Sequence, residues 1–135
     1  MKPFSLIIVL TTIILMTAHA GHAMEIAGVW TKTTHPDPNN IIVLYRESGT
    51  IKAIGYEQVG DMPANWHGDG KITNDVVELR YRYSADATPA GWEPRGRMVL
   101  TLSGDGQRLH GTATSRSGGW SDRIELMRVA VILQP

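Results

Sequence analysis

The stretch Val76-Val77-Glu78-Leu79-Arg80-Tyr81-Arg82-Tyr83 decides the fold class. Successive side chains of an extended strand point to opposite faces. Here Val77, Leu79, Tyr81 and Tyr83 share one face and Glu78, Arg80 and Arg82 the other. Such a segment buries one side and wets the other, as a strand of an antiparallel sheet does. Arg97-Met98-Val99-Leu100-Thr101-Leu102 repeats the device, with Met98, Leu100 and Leu102 on the apolar face.

Working outward, the chain offers short segments of period two separated by clusters of Gly, Asp, Asn and Pro, and no long stretch of helical period. Eight strands are expected, over residues 26–33, 41–46, 50–58, 65–72, 76–83, 96–102, 108–115 and 123–129. The connections after the second, fourth and sixth are tight and hold Gly49, Asn74 and Gly104-Asp105-Gly106. Gly, Asn and Asp tolerate the backbone of a close reversal. The connections after the first, third, fifth and seventh read as longer and hold His35, Asp61, Trp92 and Trp120. In a meander, alternate connections fall at opposite ends. The expected fold is therefore all-β, an antiparallel up-and-down meander of about eight strands closing into a barrel. Closure removes the exposed edges and leaves an interior wide enough for side chains or one small ligand.

The N-terminus has a different character. Met1-Lys2 supplies a positive start, residues 4–16 form an apolar run, and Ala18-His19-Ala20 offers small residues at the spacing a signal peptidase requires. The expectation is a signal peptide over residues 1–20, with a cut after Ala23 as the alternative, followed by one domain over residues 24–135. The apolar run is shorter than the ~20 residues of a membrane-spanning helix, so no membrane span is expected in the mature chain. With no cysteine after the run, a lipid-modified N-terminus is excluded. Periplasmic or secreted localisation follows.

Thirteen basic and thirteen acidic residues are interspersed, which lacks the field that draws proteins to nucleic acid. The absence of cysteine excludes thiol nucleophiles, thiolate metal sites and disulfide staples, so the fold must stand on its apolar core. Gly-x-Ser-x-Gly, His-Glu-x-x-His, phosphate-loop and dinucleotide patterns are all missing. His67, His110, Glu78 and Asp69 fall on the outward face by parity, and His35 with Asp37 makes an incomplete metal site. No catalytic set, metal or cofactor is expected.

Gly28-Val29-Trp30 on the first strand resembles the Gly-x-Trp that opens lipocalin-like and avidin-like barrels, and Arg128 on the last strand resembles the arginine those barrels pack across that tryptophan. The resemblance implies structural roles for Gly28, Trp30 and Arg128, with the guanidinium over the indole face at the closed end. Asp69-Gly70 and Asp105-Gly106 read as turns suited to such a barrel. The chain departs from the lipocalin pattern in having no disulfide pair and no helical segment beside the barrel. A binding role is what the resemblance implies.

The aromatic residues carry the remaining signal. Trp66, Tyr81 and Tyr83 fall with Trp30 on the inner face, whereas Trp92 and Trp120 lie on connections. An indole on a glycine-rich loop is costly to leave wet, so Trp92 and Trp120 either plug the barrel mouth or contact a ligand or partner. Two functions stay open: a carrier of a small apolar or aromatic ligand, contacted by Trp92, Trp120, Trp66, Tyr81 and Tyr83, and a module that binds a protein, such as an inhibitor of a secreted hydrolase, through loops 87–95 and 115–121.

Overall fold

The computed structural model describes residues 25–33 and 39–132. The leader with its two cut sites, and His35 and Asp37 on the first connection, lie outside the described residues. Eight strands follow one another: β1 (Gly28–Lys32), β2 (Asn40–Glu47), β3 (Thr50–Val59), β4 (Met62–Thr73), β5 (Val76–Tyr83), β6 (Arg95–Leu102), β7 (Arg108–Ser115) and β8 (Ser121–Val131). Each pairs antiparallel with its neighbours in sequence, and β1 pairs with β8 to close the barrel. A single turn of 3-10 helix over Ala85–Ala87 is the one helical element among the described residues.

The alternation read from the sequence sets which residues face inward. On β5, Val77, Leu79, Tyr81 and Tyr83 are buried; on β6, Met98, Leu100 and Leu102. His67, Asp69 and His110 point outward, as parity requires. The lower part of the barrel is filled by Ile26, Trp30, Leu44, Ile51, Val77, Leu79, Leu100, Leu109 and Leu126, all nearly or fully out of water.

Trp30 and Arg128 close this end. The Arg128 guanidinium carbon sits 4.5 Å from the centroid of the buried indole. Arg128 also donates from Nε to the Gly106 carbonyl at 2.9 Å and from its terminal nitrogens to the Ala27 and Glu25 carbonyls at 3.2 and 2.5 Å. The Trp30 indole donates to the Ile26 carbonyl at 3.2 Å. One side chain thus ties the N-terminal segment to the β6–β7 turn while covering the indole. At Gly28 a β-carbon would lie 2.6 Å from the Ala130 carbonyl oxygen, so the close approach of β1 to β8 requires glycine there.

Two expectations are corrected. The β3–β4 connection is only Gly60 and Asp61, because β3 runs on to Val59 and β4 begins at Met62. Gly60, at φ 61°, supplies the left-handed residue that a two-residue reversal needs. Asp69-Gly70 is a pair in the middle of β4, opposite Lys52-Ile51 and Arg80-Leu79, and not a turn. Gly70 serves the close approach of β4 to β5 instead: a β-carbon there would lie 1.7 Å from the Glu78 carbonyl oxygen. Asp105-Gly106 does lie in a turn, where the Asp105 carboxylate accepts from the Ser103 hydroxyl at 2.6 Å and the Gln107 amide at 3.0 Å.

Candidate functional site: an aromatic cup at the looped end

Above the filled half, the inward residues become small. Ala53 and Gly55 on β3, Ala64 and Gly68 on β4, Gly96 on β6 and Ala113 on β7 leave room that large side chains take up lower down. Aromatic rings use part of it. Trp66 lies across its register partner Gly55, where a β-carbon would fall within 1.9 Å of the indole, and Tyr81 lies across its partner Gly96 in the same way.

Trp66, Tyr81, Tyr83 and Trp92 form a continuous series of ring contacts. Centroids are 5.8 Å apart for Trp66–Tyr81, 6.0 Å for Tyr81–Tyr83 and 5.7 Å for Tyr83–Trp92, all tilted or edge-on. This is the arrangement that the quadrupole of an aromatic ring favours. Trp92 reaches the series from the β5–β6 loop, its amide bonded to the Pro89 carbonyl at 3.1 Å. Trp120 stands on the β7–β8 loop beside cavities that Tyr81, Tyr83 and Trp92 also line, its amide held by the Ser115 hydroxyl at 3.0 Å.

These loops are clasped together. The Glu93 carboxylate accepts from the Ser117 amide at 3.0 and 3.1 Å and from its hydroxyl at 2.6 Å. The Ser117 hydroxyl and then its amide hold the Glu93 carboxyl below the usual carboxylate range.

Two adjoining cavities of about 340 and 270 Å³ share Tyr81, Tyr83, Trp92 and Trp120 as a common wall. The outer one lies between the clasped loops; the inner one reaches down to Ile42, Met98, Ala113 and Ile124. Each is of the order of the ~300 Å³ at which small-molecule sites begin. Trp92 and Trp120 keep 43% and 49% of their surface in water, so they wall the mouth without sealing it.

Glu57 is the residue that the sequence reading passed over. It accepts a hydrogen bond from the Tyr83 hydroxyl and lies 3.5 Å from the Lys32 ammonium, with its side chain only 14% exposed. Burial first, and the bond to Glu57 second, push the Tyr83 hydroxyl far above its ordinary pKa. Tyr81 is raised too, by burial and then by Glu57 and Glu93. The signal was present: Ile51, Ala53, Gly55 and Glu57 share one face of β3, so the strand that supplies lower core also carries a carboxylate into the cup.

All five expected contact residues, Trp66, Tyr81, Tyr83, Trp92 and Trp120, line the inner cavity together. Among the described residues, no group of three His, Cys, Asp or Glu side chains is placed to hold a metal ion. In class, this is an eight-stranded antiparallel up-and-down barrel with one filled end and one hollow, aromatic end. Comparison with protein-family models, with curated proteins and with solved structures finds no match to this chain.

Proposed function

We propose that this chain is an exported, non-enzymatic, lipocalin-like binding protein that takes a small apolar or aromatic ligand into the cup. The observation that carries the reading is the coincidence of two adjoining cavities with five aromatic side chains drawn from β4, β5 and two separate loops. Small inward residues beneath the rings keep the space open, and a filled lower half provides a rigid support. Binding residues often sit on loops above such a frame. The Trp30–Arg128 packing supports the lipocalin-like part of the reading. The apolar residues 4–16 and the small-residue pattern that follows support export.

The test is a titration with a panel of small aromatic and alicyclic compounds, read by quenching or shift of tryptophan emission. At least one should bind saturably, and Trp92→Ala with Trp120→Ala should weaken it tenfold or more, about 1.4 kcal/mol. A second reading draws on the exposure of those two indoles on clasped loops: the rim docks a protein, such as a secreted hydrolase. No response to any small compound, with a response to a protein partner lost in the same double variant, would select that reading.

A further inference from the structure

We infer that the cup selects an organic cation, an aromatic or alkyl ammonium, over neutral and anionic molecules of the same shape; this rests on the cup being a ligand site. The walls are aromatic rings, and a cation within about 6 Å of a ring face is attracted by the ring quadrupole. The charged side chains agree in sign. Glu57 and Asp122 line the inner cavity and Glu93 the outer one, against Lys32 alone. Asp122 shares the inward parity of Ile124 and Leu126 on β8, opposite Ala113. The carboxylates therefore enter from three sides of the opening, on β3, β8 and the β5–β6 loop.

Lys32 shows what the arrangement accommodates. Its ammonium lies 3.5 Å from Glu57 but keeps 39% of its side chain in water, so it is a removable counter-ion. The chain's own cation occupies the place that a ligand cation would take. A neutral ligand would gain from the rings but would leave the carboxylate field of the cup unused. An anion would face three carboxylates.

Calorimetric titration of the full domain with three molecules of one shape tests this. Benzyltrimethylammonium carries the positive charge, neopentylbenzene is its neutral carbon isostere, and benzylsulfonate is the anion. The cation should bind at least about tenfold tighter than neopentylbenzene, with no detectable binding of the sulfonate. Glu57→Gln keeps an acceptor for the Tyr83 hydroxyl, so the fold should hold. That variant and Asp122→Asn should each weaken the cation several-fold more than they weaken neopentylbenzene, and Lys32→Met should tighten the cation. Equal or tighter binding of neopentylbenzene, or indifference of the cation to both carboxylate changes, would overturn the charge selection and leave the aromatic cup standing. Failure of all three molecules to bind would overturn the charge selection, and the aromatic cup would fall with it where the whole panel of small compounds fails as well.

Discussion

Trp30 is fully buried at the closed end, and its indole is covered by a guanidinium that is itself bonded to three backbone carbonyls. Burial lowers the Arg128 pKa, with Glu25 opposing, so the charge is held there against a desolvation cost by its bonds and by the ring beneath it. Trp30→Ala removes a large core side chain and should cost about 3–5 kcal/mol in urea unfolding, a large part of a small domain's stability. Arg128→Met retains apolar cover but leaves partly buried carbonyls without a donor, and should cost about 1–3 kcal/mol. Neither change should alter ligand affinity in molecules that remain folded, because both residues lie at the end away from the cup. At the mouth, the prediction concerns pH. Tyr81 and Tyr83 have folded-state pKa values raised above the unfolded value of about 10. A group raised in this direction binds its proton more tightly when folded, so its contribution is complete below pH ~10 and is lost as pH rises beyond it. The melting temperature should therefore fall above pH ~10, and Tyr81→Phe with Tyr83→Phe should flatten that fall.

At the scale of elements, the strands were legible because their inward and outward faces differ in chemistry. β5 and β7 have the bounds that alternation alone suggests, Val76–Tyr83 and Arg108–Ser115. The facing ends of β3 and β4 were not, since Gly60-Asp61 and Pro63 read as loop residues although Val59 and Met62 keep the inward parity, and a two-residue reversal needs only one residue in the left-handed region. Asp69-Gly70 misled for a related reason: a dipeptide common in turns also suits a strand whose neighbour's backbone comes too close for a β-carbon. Gly70→Ala should consequently cost at least about 1–3 kcal/mol through overpacking, although its φ is ordinary. The β2–β3 turn offers the opposite case. Ser48 and Gly49 have φ of 49° and 80°, the signature of a type I′ reversal, in which asparagine is favoured at the first position. Ser48→Asn should raise stability by about 0.5 kcal/mol, visible as a higher melting temperature. Gly49→Val and Gly106→Val should lower it, since both glycines have positive φ, and should leave binding at the far end unaffected.

Across the whole molecule, chain parity separates scaffold from opening. The β2–β3, β4–β5 and β6–β7 turns lie at the end sealed by Trp30 and Arg128, and the loops bearing Trp92 and Trp120 lie at the other. That Trp92 and Trp120 meet at one end was legible from the meander alone. That they wall an opening, with Glu57 and Lys32 inside it, was not, because the size of a cavity depends on how small inward residues from four strands coincide in register. Half-exposed indoles add little to the core, so Trp92→Ala and Trp120→Ala should leave the unfolding midpoint nearly unchanged. A plug, in contrast, would lose stability with them. The most direct measurement of the central claim uses the four tryptophans as reporters. In a proton–nitrogen correlation spectrum titrated with the tightest binder of the small-molecule panel, the indole N–H signals of Trp66, Trp92 and Trp120 should move together along one saturable curve while that of Trp30 stays in place. Movement of Trp30 alone, or of all four signals equally, would contradict a cup at the looped end above a filled barrel.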